Sequence, residues 1–261
     1  MDNYEFMFAN SLKEIEGMRA HYLDELGEAQ ELFLELKIRR ARVVKIQSYA
    51  RPIGYVLLGD DNLLLEYFIS RTHFHQIDRI FQDLIQKFSI KKAFCKSFDH
   101  ALLSCCVQAQ KQTKAVGVLF RERDLRSLSL LGEHVTTRFA EPHDAQQIAA
   151  VNEEVFDNKE EIDEVIANHN LFIFEQDHDL IGVGLFQRVI VGRPEFDIGM
   201  LVTSKYRRQG YGAAIIHYLA DYCQQQGWRP ICGCAIENIA SRRCLEKTGF
   251  IARYRMLEFT F

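Results

Sequence analysis

The sequence predicts an α/β (α+β) chain made of two similar layered domains, each a mixed, mostly antiparallel sheet flanked by helices. Three observations point there. At 261 residues the chain is long for one domain and suits two of roughly 120 to 130 residues each. Its strand and helix signals run twice in the same order. In the second run a strand passes through a basic, glycine-bearing loop directly into a helix, a junction that layered α/β folds use to hold anions.

The first run covers residues 1–125. Tyr4 to Phe8 reads as a strand, and Ser11 with Glu14 spells a capping box for a helix whose apolar face is Leu12, Ile15, Met18 and Tyr22. Gly27 interrupts, and a second helix holds Leu32, Phe33 and Leu36. Strands at Val43 to Tyr49 and Ile53 to Leu58 are hinged at Arg51-Pro52, and the turn Gly59-Asp60-Asp61-Asn62 leads into a strand from Leu63 to Ser70. Thr72 is expected to cap an amphipathic helix carrying Phe74, Ile77, Ile80, Phe81, Leu84, Ile85 and Phe88. A strand from Lys92 to Phe98, a helix from His100 to Gln108 and a strand from Ala115 to Phe120 follow. The charged residues from Arg121 to Arg126 suggest the link between halves.

The second run covers residues 134–261. A strand from Val135 to Ala140 precedes Glu141-Pro142 and a helix with Ile148, Val151 and Val155, where proline suits the first turn. Ile162, Val165 and Ile166 mark another helix. Strands at Leu171 to Glu175 and Leu180 to Val191 lead to the central strand, with Phe196, Ile198, Met200 and Val202 alternating. Beyond the loop, Ala213, Ile216, Leu219, Ala220 and Cys223 fall at three-four spacing on one helix face. Trp228 to Ala235 is a strand, Ile239 to Thr248 a helix ending at Gly249, and Phe250 to Phe261 is expected to close this second sheet.

Composition narrows the functional classes. A hydrophobic content of 48% and a charged content of 26% are those of an ordinary globular protein. The net charge of -4 argues against nucleic acid as the main ligand. The seven cysteines have no framework spacing and are expected to be free thiols in a reducing cytoplasm. Cys232 and Cys234 share a strand face, but without a second ligand pair no metal is expected. The start MDNYEFMF lacks the regions of a signal peptide, and no apolar run reaches about 18 residues, so the reading is cytoplasmic with no membrane association.

Chemistry concentrates at the junction Thr203 to Gly212, where Arg207, Arg208, Gln209, Gly210, Tyr211 and Gly212 precede the helix. The first amides of a helix lack partners inside it, and its dipole puts partial positive charge there. Glycines let the backbone approach an anion closely, so the chemistry points to phosphate or pyrophosphate. A surface turn that is merely basic is the plain alternative. The equivalent junction in the first run, Ser70-Arg71-Thr72-His73-Phe74-His75, has no glycine and offers no such cradle. His73 and His75 fit solvated roles near a helix start better than metal ligation.

The spelling R-x-x-G-x-G after a strand ending near Val202 resembles the acyl-CoA loop of the GNAT superfamily of N-acyltransferases. Downstream, the run from Glu237 to Phe250, with N-x-x-S at Asn238 and L-E-K-x-G-F at Leu245, is similar to the second GNAT motif as found in ribosomal-protein N-acetyltransferases. The resemblance covers about Val135 to Phe261 and implies a tandem GNAT-like fold: a degenerate first copy over 1–125 and a catalytic copy over 134–261.

It implies acetyl-CoA as acyl donor, no metal, and a small-molecule or peptide amine as acceptor, in a monomer or a homodimer. Main-chain groups of Leu201 and Val202 would pair with the pantetheine arm. The amides from Arg207 to Gly212 would hold the pyrophosphate, with Arg207 and Arg208 adding charge. Asn238 would bond the pantetheine and Ser241 would face the thiol end. An amide of the opened strand would stabilise the oxyanion.

Where many members carry a tyrosine as general acid this chain has Leu245, which leaves that role to Ser241, to Cys244 or to water. Ser241 would otherwise only orient CoA. Glu195 and Asp197, on the face opposite Phe196 and Ile198, are the nearest carboxylates for a general base. Tyr206 and Tyr211 fit packing better than acid catalysis. The segment from Asp157 to Asn168 and the cleft between the domains are where an acceptor would be sought, and the acidic balance favours a cationic amine. The reading from a different class is a non-catalytic acyl-CoA-binding or regulatory module, motivated by Leu245.

Overall fold

A computed structural model describes residues 4–124, 132, 134–152, 155–156 and 158–261. It divides into two compact units: Met1–Leu119 with Ala235–Glu237 and Arg253–Phe261, and Phe120–Cys234 with Asn238–Ala252. Leu125 and Arg126 of the expected link, and Asp157 at the start of the expected acceptor segment, lie outside the described residues.

In the first unit β1 (Tyr4–Ala9), α1 (Glu16–Glu25), α2 (Leu32–Ile38), β2 (Arg42–Ser48), β3 (Arg51–Leu58), β4 (Leu64–Ile69), α3 (Ile77–Phe88), β5 (Lys92–Lys96), α4 (His100–Ala109) and β6 (Gln112–Phe120) keep the expected order. Two helix starts differ. Leu12–Ile15 and Arg71–Gln76 are 3-10 turns, so α1 and α3 begin later than the capping signals imply. The tight turns answer the opening amides with backbone carbonyls, Glu14 N–H to Ser11 O at 3.2 Å and His73 N–H to Ser70 O at 2.8 Å, and neither turn has a side-chain cap.

The second unit holds β7 (Val135–Phe139), α5 (Ala145–Val151), α6 (Lys159–Ala167), β8 (Leu171–Gln176), β9 (Asp179–Arg188), β10 (Glu195–Val202), α7 (Tyr211–Gln225), β11 (Arg229–Ala235) and α8 (Ile239–Lys247). Its strands lie in the order β11-β10-β9-β8-β7, with β10 and β11 parallel and the other pairs antiparallel. One sheet face is covered by α5 and α6, whose Ile148, Ile162 and Val165 share a core with Ile173, Val183 and Leu201. On the other face α7 comes close enough that a Cβ at Gly184 would meet Leu219 at 3.0 Å and Ile215 at 3.1 Å.

The start of α5 is tied down by charge. Arg138 grips the buried Asp144 carboxylate with two bonds of 2.6 and 2.7 Å, and Asp144 also accepts the Glu141 amide. The hydrogen bonds from Arg138 hold that carboxyl below its ordinary range. A group whose folded pKa is depressed stabilises the fold above its unfolded value, about 3.9, and loses that contribution as pH falls through the folded value. Asp144→Asn therefore lowers stability by roughly 1–3 kcal/mol at pH 7, and denaturation at a series of pH values finds the gap from wild type closing below about pH 4.

The last strand corrects the expectation drawn from element order. Instead of closing the second sheet, β12 (Tyr254–Thr260) inserts antiparallel between β5 and β6, giving the first unit the order β1-β2-β3-β4-β5-β12-β6. Its Phe259 joins the core formed with Phe81 and Leu84 of α3.

The two units match residue by residue at one place. Ser70 N–H bonds Ile53 O at 2.7 Å, and Thr203 N–H bonds Ile181 O at 2.9 Å. A Cβ at Gly54 would lie 2.2 Å from Phe68 O, and one at Gly182 would lie 2.2 Å from Leu201 O. Only glycine permits that approach of neighbouring strands. Counted from Ser70 and Thr203, and through the neighbouring-strand partners Leu57 and Leu185, Glu66 corresponds to Gly199. Each lies two residues past the last parallel pair: Leu64 pairs with Ala93, Asp197 with Ile231, and neither ladder runs on.

What fills the parted strands differs. In the first unit Glu66 accepts from Arg19 at 2.9 and 3.1 Å, from Gln30 at 2.8 Å and from Tyr55 at 3.0 Å. Lys96 donates to Gln30 at 2.9 Å and to Tyr22 at 2.8 Å, and Tyr22 donates to Asp99 at 2.6 Å. Glu66 and Lys96 are fully buried, so this network takes up the space between β4, β5, α1 and α2.

Candidate active site

The junction after β10 is built as the spacing implies. Ser204–Tyr206 makes a 3-10 turn, Arg208 and Gly210 take left-handed backbone angles, and Gly210 stands at the start of α7 with φ 95°. Among the described residues nothing lies within 4 Å of a Cβ built at Gly210, so the glycine is there for conformation and the space beside it is open. Arg207 N–H reaches Ser204 O at a long 3.4 Å, and from Arg208 onward the amides stand at a helix start, where no intrahelical acceptor exists.

The side chains of the loop are partly committed. Arg207 Nε bonds Val202 O at 3.0 Å, and Gln209 Nε2 bonds Lys205 O at 3.0 Å. Arg208 is exposed. Tyr211 donates to Gln176 at 2.9 Å, and its ring meets Tyr206 edge-on at 5.6 Å, which are packing contacts. Gly212 differs from Gly210: a Cβ there would press on Cys244 Sγ at 3.3 Å, Met200 Cε at 3.5 Å and Val202 Cγ2 at 3.6 Å. It lets α8 and β10 close on the first turn of α7.

Beside this junction β10 and β11 part. They pair only at Glu195–Arg229, Phe196–Pro230 and Asp197–Ile231, and β10 then runs on to Val202 with β9 alone. The bonds Thr203 N–H to Ile181 O and Val189 N–H to Glu195 O fix which residues turn toward β9. Alternation assigns Leu201 to that same set, bonded with Val183, and points the main chain of Met200 and Val202 into the opening. Of the expected pair, Val202 therefore faces the gap and Leu201 does not. Met200 replaces it, a detail that depends on the register with β9.

The second motif forms α8. Asn238 caps it, with Oδ1 accepting the Ser241 amide at 2.9 Å. Ser241 and Cys244 are half-buried on the first turns, and burial pushes the Cys244 thiol up to about 11, so it stays protonated at neutral pH. Leu245 is 2% exposed and packs inward, so no acid stands at that position.

Glu195 and Asp197 share the sheet face of Leu201, opposite Phe196 and Ile198, as alternation requires. They are not equivalent. Glu195 Oε1 lies 3.8 Å from Arg229 Nη1, while Asp197 is one step nearer the opening. Gly199, which sequence reasoning passed over, is the next residue on that face. The only signal for it was a glycine inside a strand.

This arrangement combines a helix-start amide cradle, two parallel strands that separate beside it, and a carboxylate at the point of separation. It can hold a diphosphate at one end and thread an amide-bearing arm between the strands. Residues 11–123 and residues 118–251 each match the model of an acetyltransferase (GNAT) domain. No curated protein matches the chain.

Among solved structures, a GNAT-family acetyltransferase from Colwellia psychrerythraea superposes with a TM-score of 0.90 at 18% identity, over 98% of this chain and 99% of that one. A GCN5-related N-acetyltransferase from Sphaerobacter thermophilus gives 0.67 at 11% identity, over 98% and 95%. A tandem GNAT protein from the clavulanic acid biosynthesis pathway gives 0.61 at 12% identity, over 99% and 98%. At these identities the likeness speaks to the fold. With both units matched by domain models and more than half of the sequence covered, this chain is a member of the GNAT acetyltransferase family, built as a tandem of two such domains.

Proposed function

We propose that the second unit transfers an acetyl group from acetyl-CoA to the primary amine of a small molecule or peptide. The observation that carries this reading is the parting of β10 and β11 after Asp197 and Ile231, next to the open turn at Gly210. In this reading the amides from Arg208 to Gly212 hold the pyrophosphate, and the Arg207 and Arg208 guanidiniums add charge. Main-chain groups of Met200 and Val202 take the pantetheine arm in sheet fashion, and Asn238 and Ser241 border it from α8.

The amine nitrogen attacks the thioester carbonyl carbon. The N–C bond forms, the C–S bond breaks, and the thiolate leaves. Asp197 is the better placed carboxylate to take the amine proton, because it stands at the last pair before β10 and β11 part, one step nearer the opening than Glu195. The Met200 N–H, turned into the opening, suits the oxyanion. A coenzyme A thiolate leaves readily without a strong acid, so water, Ser241 or the protonated Cys244 thiol suffices where Leu245 supplies nothing.

Thiol release from acetyl-CoA with a panel of primary amines tests the proposal. Amine-dependent release supports it, and absence of acetyl-CoA binding refutes it. Binding without turnover of any amine favours the second reading, a non-catalytic acyl-CoA-binding module, which the buried Leu245 motivates.

The same reading predicts one acetyl-CoA per chain. The first unit lacks a glycine between Ser70 and His75, and its parted strands are filled by the Glu66, Gln30 and Lys96 network. Calorimetric titration is expected to give a single site, and two sites of similar affinity would contradict the assignment.

A further inference from the structure

Gly199 has no structural reason to be glycine. Its backbone is not in the left-handed region, in contrast to Gly192 and Gly210. It is not crowded, in contrast to Gly182, where a Cβ would meet Leu201 O at 2.2 Å, and Gly184, where one would meet Leu219 at 3.0 Å. Among the described residues nothing lies within 4 Å of a Cβ built at Gly199. Glycine inside a strand costs about 0.5–1 kcal/mol relative to alanine, so the fold is less stable for having it there.

The first unit shows what the position otherwise holds. Glu66, its counterpart, is fully buried and bonded to Arg19, Gln30 and Tyr55. A long side chain therefore fits this fold here and fills the face of the sheet where the two strands part. In the second unit no side chain stands at that place, and among the described residues nothing comes within 4 Å of a Cβ built there. Its borders are Asp197 and Leu201 on the same face of β10 and Leu185, the β9 partner of Gly199. Along the strand, Asp197 is two residues, roughly 6.6 Å, away, and the next peptide, at Met200, turns into the opening.

We propose that the space above Gly199 is the port through which the acceptor amine reaches the thioester, and that its width selects the acceptor. An amine entering there passes the Asp197 carboxylate, which favours a cationic, sterically slender primary amine. The proposal rests on the acetyl-transfer reading and extends it from the donor side to the acceptor side. It makes Gly199 a specificity-determining position that works by having no side chain.

The series Gly199→Ala, Gly199→Val and Gly199→Glu tests it, with acetyl-CoA as donor and butylamine, spermidine, lysine and a lysine-bearing peptide as acceptors. The melting temperature of Gly199→Ala is expected to stay at or above wild type, since among the described residues its Cβ meets nothing within 4 Å and the strand loses a glycine. Acetyl-CoA affinity should remain within about twofold of wild type, because the donor meets β10 through the main chain of Met200 and Val202 and the loop amides, whereas a side chain at position 199 stands out of the sheet on the face of Asp197 and Leu201. For whichever amine the wild type acetylates, kcat/KM is expected to fall about tenfold in Gly199→Ala and more than about a hundredfold in the other two, the scale of a misplaced reacting group.

A Gly199→Val protein that binds acetyl-CoA normally and keeps kcat/KM within about threefold overturns the port while leaving acetyl transfer standing. A wild type that turns over none of these amines overturns the transfer reading and the port with it. Should the larger variants fold poorly, Gly199→Ala alone decides, through its kcat/KM at unchanged acetyl-CoA affinity.

Discussion

Gly210→Glu is expected to weaken acetyl-CoA binding, by up to about a thousandfold. Gly210 holds φ 95° at the N-cap of α7, and among the described residues nothing lies within 4 Å of a Cβ built there. A glutamate there meets two penalties. A side chain in the left-handed region costs roughly 1–2 kcal/mol of stability, and its carboxylate stands where a diphosphate would sit. A like charge at about 4 Å costs on the order of 1 kcal/mol in water and about 4 kcal/mol at a partly desolvated site. That range corresponds to a loss of affinity of roughly fivefold to a thousandfold. Gly210→Ala separates the two terms, since it carries the backbone strain without the charge. Its melting temperature should drop like that of the glutamate variant while its acetyl-CoA affinity falls far less, and calorimetry on both proteins makes the comparison.

Phe259→Ala is expected to cost about 3–5 kcal/mol of stability, and the loss should fall on the first unit. Phe259 is 1% exposed, in the core with Phe81, Leu84 and Ile80 of α3, although in sequence it follows the second acetyl-transfer motif. Its strand is hydrogen-bonded on both sides, to β5 and to β6. Hydrogen exchange under mild denaturant reads the location: amides of β2 to β5 should lose protection while those of β7 to β9 keep it. Loss confined to the second unit would contradict the strand assignment.

The features legible in the sequence were local ones. The turn into α7 could be read because an arginine, two glycines and an amphipathic period lie within a dozen residues, where spacing alone dictates geometry. The cap at Asn238 and its bond to Ser241 follow from the same kind of short-range rule. Non-local pairing was not legible. Nothing in Tyr254–Thr260 says whether it will pair within its own half or with β5 and β6, because an alternating strand fits any sheet edge of suitable width.

The exchange of Leu201 for Met200 has the same origin, since the residues that turn into the opening are set by register with β9. Glu66 and Gly199 acquire meaning only together. Neither residue is informative until the bonds Ser70 to Ile53 and Thr203 to Ile181 show that they occupy one position in two copies of a fold.

The most direct test is amide hydrogen exchange of the whole chain with and without acetyl-CoA. Bound acetyl-CoA should slow exchange at residues 208–213 and at Met200 and Val202, and leave the matching turn at Ser70 to His75 unchanged. Unaltered exchange at 208–213 under saturating acetyl-CoA, or equal protection at Ser70 to His75, would contradict a single pyrophosphate cradle at the start of α7.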